Sequence, residues 1–323
     1  MQHAPMTERH VAAIGSLLIA LGPVSLALYT PAMPELVTDF ATTYPAVKAT
    51  LAAYFAGFAL AQLICGPLSD AYGRRPAALA FLALYALGSV GAVLAPTIHA
   101  LTAARLVQGV GAAVGISVAR AIVRDNFTGE QSSRVMNTIG IFLAIGPAVA
   151  PTLGSLAMLI FDWRAIFVLM VVYGGVLLVA VYRFLPETNR APDPARASPS
   201  GLVRAYAALA ADRRFLFPAL AMGLVFGGFY SLSSTLPFLL IDTAGLSPQA
   251  FGFGMLAQTG AYILGGIVTK ALLEHVPARY LVLPGLVLAT AGALTMTASI
   301  AFFAPSYLSV MAPVAVFAFA LAM

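Results

Sequence analysis

The chain has 323 residues, 61% of them hydrophobic and only 9% charged, with a formal net charge of +5. A soluble domain carries about a quarter charged residues, so this composition excludes a chain that covers itself with polar surface. The lone cysteine, Cys65, excludes an internal disulfide.

Ten apolar runs follow one another, roughly 11–30, 47–67, 76–95, 99–120, 135–158, 164–184, 215–240, 249–269, 279–302 and 307–323. Each is long enough, or nearly so, to cross a bilayer of about 30 Å as a helix. Helices are required because backbone polar groups must be satisfied within lipid. The fold class read here is all-α, a polytopic membrane protein. The first run is a retained span rather than a signal peptide, because Pro31 to Glu35 does not resemble a small-residue cleavage site.

Between the second and third runs lies "GPLSDAYGRRP", Gly66 to Pro76. Gly66 and Pro67 are expected to end one helix, Gly73 to permit a tight turn and Pro76 to sit in the next helix's first turn. Asp70 suits a cap or a position facing a positive helix N-terminus. Arg74 and Arg75 are also what any short cytoplasmic turn would carry.

Arg105, in the fourth run, is the one charge well inside a span. A mid-membrane arginine costs about 2.5–3.5 kcal/mol on insertion scales. It either faces a wet cavity or accepting groups, or snorkels to the nearer surface. Gln108 and Gly109 lie one turn on, on the same face. Gly111 and Gly115, and then Gly146, Ala150 and Gly154 in the fifth run, carry small residues at four-residue spacing, which lets helices approach closely. Pro147 and Pro151 are expected to kink that fifth helix.

Aromatic and amide residues recur at one-turn spacing: Tyr54, Phe58 and Gln62, then Phe226 and Tyr230, then Gln258 and Tyr262. With Tyr29 and Asn137 they form the candidate substrate cavity; packing against lipid or other helices is the alternative for any one aromatic.

From Pro186 to Asp212 the chain is polar and rich in Pro, Arg and Ser, as a linker is. The expected organisation is a six-helix bundle at 1–185, a cytoplasmic linker at 186–214 and a second bundle of about four helices at 215–323. The last run stops at Met323, and the expectation is a truncated second half.

Of the 17 Lys and Arg residues, most cluster on one side: Arg9, Arg74, Arg75, Arg120, Arg124, Arg134, Arg183, Arg190, Arg196, Arg204, Arg213, Arg214, Lys270 and Arg279. Only Lys48 and Arg164 fall on the other. The positive-inside rule then places the N-terminus and this set in the cytoplasm, in a multi-pass inner (plasma) membrane protein. Orientation explains the basic charge without nucleic acid.

All 12 acidic residues lie in loops or at span ends. His3, His10, His99 and His275 are terminal or between spans, which argues against an intramembrane zinc site, bis-His haem or Ser–His protease. Lys48 and Lys270 do not end a phosphate-binding loop. The reading is therefore a non-enzymatic, gradient-driven transporter with no cofactor and no metal.

"GPLSDAYGRRP" resembles the signature between spans 2 and 3 of the major facilitator superfamily, with Gly66, Leu68, Asp70, Gly73, Arg74 and Arg75 in register. "RLVQGVGAAVG" is similar to that superfamily's fourth-span motif, "GIFLAIGPAVAPTLGS" to the fifth-span motif of its antiporters, and "LPET" to the usual close of span six. With "LYTPAMP" and "ARAIVRD", the nearest subfamily by resemblance is the Bcr/CflA drug-efflux group. The resemblance implies twelve spans and a latch at Gly66, Asp70, Gly73, Arg74 and Arg75, with Asp70 facing the eleventh span. It also implies coupling through Arg105, Gln108 and Gly109, and an antiporter packing motif at Gly146, Pro147, Pro151 and Gly154. One position departs from the subfamily pattern: Ala27 stands where its span-1 Asp is expected. Glu35 and Asp39 are the fallback proton site.

The expected function is proton-coupled efflux of small, mainly apolar or cationic drugs by a monomer in the bilayer. The alternatives are a metabolite facilitator or exporter not coupled to protons, and an inactive truncated fragment.

Overall fold

A computed structural model describes residues 6–277 and 280–322. Arg279, His3 and the terminal Met323 lie outside the described residues. The described chain is helical: α1 (Glu8–Tyr29), α2 (Met33–Asp39), α3 (Tyr44–Tyr72), α4 (Arg74–Val93), α5 (Ile98–Ala112), α6 (Val114–Asn126), α7 (Gly129–Ala157), α8 (Arg164–Phe184), α9 (Pro199–Ala211), α10 (Arg213–Pro237), α11 (Pro248–Leu273), α12 (Val282–Phe302) and α13 (Tyr307–Leu321). Among the described residues, nine segments are long and apolar enough to cross a membrane; α13, with 15 residues, is shorter.

The helix starts are written in the sequence. Thr7, Thr43, Thr97, Asp212 and Ser247 each accept a backbone N–H from the first turn of the helix that follows. Ser306 and Ser309 cap α13 reciprocally. Such caps satisfy donors that the helix itself leaves orphaned.

Four sequence expectations change. The second helix does not end at Gly66 and Pro67; α3 runs through both to Tyr72. One proline in the last turns of a long helix removes only one hydrogen bond, and its neighbours carry the backbone on. The fourth span, Ile98–Asn126, is longer than expected: α5 passes through Ala113, itself in helical conformation, into α6, which runs on to Asn126. The first span continues past Tyr29 through a short 3₁₀ turn into α2, because Pro31 and Pro34 each fall in a first turn, where proline is tolerated. The stretch read as a linker contains a helix, α9, Ala- and Leu-rich and started by Pro199.

One core joins α1 and α3 through α8, built on Leu18, Tyr29, Tyr54, Tyr85, Trp163 and Phe167. A smaller cluster joins the later helices through Leu236, Phe251, Met255, Val310 and Val314. Outward faces are apolar, as at Leu224, Ile267 and Phe302. In lipid this surface needs no polar cover.

Because successive helices alternate in direction, Arg74, Arg75, Arg124, Arg183, Arg213 and Arg214 all fall at one end of the bundle. Lys48 and Arg164 fall at the other. The side-chain contacts named next, between the α1–α8 group and α10–α11, lie toward this second end or partway down the span, whereas α9 meets α3 nearer the arginine-rich end, where Tyr206 Oη donates to the Leu63 carbonyl. Lys48 Nζ donates to Thr235 Oγ1 at 3.0 Å, and Tyr44 meets Phe238 edge-on at 4.7 Å. Phe238 belongs to a π-helical turn, Phe238–Thr243, that follows α10. Phe55 meets Tyr230 at 4.4 Å.

Candidate functional site

At the arginine-rich end, α3 and α4 are joined by a single residue. Gly73 has φ 105°, a left-handed conformation that favours glycine, and a Cβ there would lie 2.5 Å from a Glu187 carboxylate oxygen. Glu187 approaches because it caps α4. Its Oε1 accepts from the backbone N of Arg74 at 2.8 Å and its Oε2 from that of Arg75 at 3.1 Å. The carboxylate on the N-terminus of α4 is therefore Glu187. Asp70 pairs instead with the Arg74 guanidinium, one turn on.

Arg74 is 6% exposed and fully engaged. Besides Asp70, its Nη1 donates to Ser69 Oγ at 2.8 Å and its Nε to Asp125 Oδ2 at 2.8 Å. Thr188 Oγ1 donates to the same Asp125 oxygen at 3.0 Å. The Asp70 backbone carbonyl accepts from Asn189 Nδ2 at 2.8 Å. Arg75 lies over Tyr182 and donates to that residue's carbonyl at 2.7 Å. Gly66 lies on α3, and its carbonyl accepts from Ser69 Oγ at 2.9 Å. This network ties α3, α4, α6 and the segment after α8 together. Asp125 and Glu187 were missed as site residues. Both sit inside quoted motifs, "ARAIVRD" and "LPET", yet spacing alone does not reveal which arginine or helix end they serve.

Arg105 lies at the centre of the α1–α8 core and does not reach either surface; its exposure is 0%. The snorkelling alternative fails because Tyr54, Tyr29 and Phe167 enclose the guanidinium at 4.3, 4.6 and 5.8 Å from their ring centroids. Arg105 Nη1 donates to Gln108 Oε1 at 2.5 Å. Gln108 Nε2 in turn donates to Ser89 Oγ at 2.7 Å and meets Met170 Sδ at 3.2 Å. Gly109 lets α5 meet α3: a Cβ there would stand 2.0 Å from the Tyr54 carbonyl oxygen.

Helix α7 packs on α1 through its small residues. A Cβ on Gly146 would meet Val24 at 2.8 Å, and one on Gly154 would meet the Leu28 carbonyl at 2.4 Å. Pro147 and Pro151 lie inside α7. The far end of α7 also reaches α11: Thr152 Oγ1 donates to the Gly252 carbonyl at 2.8 Å.

The remaining candidates divide. Phe58 stacks on Tyr54, and Tyr230 meets Phe55, so these extend the aromatic cluster around Arg105. Gln62 accepts from Ser117 Oγ at 2.6 Å. Gln258 is buried on α11 with Nε2 unpartnered. Asn137, Phe226 and Tyr262 are exposed and do not join that cluster. Glu35 accepts from the Trp163 backbone N at 3.4 Å, and Asp39 Oδ2 from Trp163 Nε1 at 2.6 Å, both at the end opposite the arginine-rich one, where Arg164 also pairs with Asp39 at 3.7 Å.

Residues 15–323 match the Major Facilitator Superfamily, and the chain belongs to that family of transporters. It is 34% identical over 310 residues to an uncharacterized MFS-type transporter, YdgK, of Bacillus subtilis (strain 168), covering 92% of this chain and 76% of that one. It is 29% identical to multidrug resistance protein MdtL of Escherichia coli O157:H7, covering 87% of this chain and 71% of the relative. A bicyclomycin resistance protein homolog of Haemophilus influenzae is 26% identical, covering 81% and 66%. The fold matches a D-xylose–proton symporter with a TM-score of 0.68 at 15% identity, covering 98% of this chain and 80% of that structure.

Proposed function

We propose that this chain is a proton-coupled exporter of small organic molecules, of the multidrug-resistance type, working by alternating access in the inner membrane. The observation that carries the reading is the placing of the contacts between the earlier and later helices. Lys48–Thr235, Tyr44–Phe238 and Thr152–Gly252 close one end, while Asp70 and Arg74 at the other end are held by their own bundle and the segment after it. Contacts between two bundles gathered toward one end are what one half of a rocking cycle calls for. The bundles are 1–185 and 215–323, linked through 186–214.

The arginine-rich end faces the cytoplasm, so the described state opens inward. Gly66, Asp70, Gly73, Arg74 and Arg75 form the latch of that end, Arg105, Gln108 and Gly109 the coupling centre, and Gly146, Pro147, Pro151 and Gly154 the packing seam. The cargo path runs past Tyr29, Tyr54, Phe58 and Tyr230, with Gln62 and Gln258 beside it. Glu35 and Asp39 carry the proton. The resistance named in two relatives supports drug cargo. A second reading, transport without protons, is favoured by the placing of every acidic residue at a span end or between spans.

The test is accumulation of bicyclomycin and of carboxyfluorescein in cells expressing the full chain. Efflux should lower the accumulation of at least one, and collapsing the proton gradient should restore it. Efflux that ignores the gradient would favour the second reading. No efflux of either would count against export.

A further inference from the structure

Among the described residues two arginines are buried, and their surroundings are opposite. Arg74 has two carboxylates, Asp70 and Asp125, and a hydroxyl. Arg105 has one amide oxygen, from Gln108. Its Nε and Nη2 are buried without a hydrogen-bond partner. No ion pair reaches it among the described residues, and each acidic side chain lies at a span end or between spans.

A guanidinium stays protonated in proteins, so this is a full positive charge left bare in the core. Burying an ion costs several kcal/mol even after relaxation. The faces of Tyr29, Tyr54 and Phe167 return part of that cost by cation–π attraction, and none brings a negative charge. The two phenols are committed elsewhere: Tyr29 to Thr50 at 2.6 Å, and Tyr54 to the Gly22 carbonyl at 3.1 Å. The two idle donors are also not scattered. Nε and Nη2 share one edge of the guanidinium plane, the edge that grips a carboxylate through two parallel bonds.

We infer that Arg105 is the binding group for an anionic cargo, a carboxylate or similar organic anion, taken on its free Nε–Nη2 edge. A cation would meet like charge in a low-dielectric core. Access to that edge requires the enclosing aromatic wall to part. Tyr54 is stacked on Phe58, and the adjoining Phe55 touches Tyr230 on α10, so parting of the two bundles releases support from that side. This access step rests on the transporter reading above; the binding itself does not.

The protein contains its own reporter. Trp163 is the single tryptophan, and it meets Phe167 edge-on at 5.9 Å. The full chain in nanodiscs would be titrated with benzoate, and with benzamide and benzylammonium as neutral and cationic probes of the same size, following Trp163 fluorescence. Benzoate alone should give a saturable change, and Arg105→Gln should weaken it about tenfold or more. Arg105→Lys keeps the charge and loses the fork, and should weaken it less. If Arg105→Gln does not fold, a weakening in folded Arg105→Lys carries the comparison. An equal response to benzamide, a benzoate response unchanged in the variants, or no saturable response would overturn the inference and leave Arg105 as a strut between helices. Because this readout needs no turnover, it can fail while the export test succeeds, and the reverse.

Discussion

Glu187 caps the helix that Arg74 begins: its carboxylate accepts the Arg74 backbone N–H at 2.8 Å across a sequence separation of 113 residues. The negative charge lies on the positive end of the α4 dipole, and the same carboxylate accepts from Arg75. The first turn of α4 is thereby bound to the end of α8.

Glu187→Ala should therefore destabilise the protein by about 1–2 kcal/mol, the worth of a lost charged cap. Thermal unfolding in detergent would show a midpoint lower by a few degrees. Glu187→Gln, which keeps an acceptor and drops the charge, should fall between.

Arg74 and Asp125 should be coupled. Arg74→Ala and Asp125→Ala each leave a partly buried charge with a lost partner, and each should cost about 1–3 kcal/mol. The double variant should cost less than their sum. A double-mutant cycle on unfolding midpoints measures the difference, and strict additivity would mean that the pair contributes nothing of its own.

Gly109→Ala should be disruptive beyond the usual small-to-large cost of about 1–3 kcal/mol, because the obstacle is the Tyr54 backbone, which cannot rotate away. The expected outcome is loss of monodisperse protein on size exclusion. Gly140→Ala, with nothing within 4 Å of the new Cβ, is the matched control and should leave the profile unchanged.

Thr152→Val should weaken the closed end. It removes the hydrogen bond to the Gly252 carbonyl, worth about 0.5–1.5 kcal/mol, and so shifts the balance between end-closed and end-open states by roughly two- to tenfold. Spin labels at Thr43 and Thr243, in a chain with Cys65→Ser, would report a larger population at long distance. Lys48→Met should act in the same direction.

Much of the helical layout was legible, because each span must satisfy its backbone alone and its length is set by the bilayer. Arg105 was legible as a candidate site because a lone charge in an apolar run has no bland explanation of equal weight. Boundaries were not. Gly66 and Pro67 look like a stop, yet α3 passes through them, since flanking turns and neighbouring helices outweigh one missing hydrogen bond. The short α9 hid in a stretch whose Pro, Arg and Ser content reads as linker. The aromatic stripes were legible as faces, but Phe226 and Tyr262 stay exposed while Tyr54 is buried against Arg105, a choice that helix periodicity does not make.

The sequence by itself determined a membrane-spanning helical chain with its basic residues gathered at one end, because solvation in lipid acts on each segment separately. Only the tertiary structure decided which charges meet. It put Glu187 on the N-terminus of α4, gave Arg74 both Asp70 and Asp125, and left Arg105 without a counter-charge. Electrostatic pairing depends on distances of a few ångströms between residues far apart in the chain, and those distances come into being only when the helices pack.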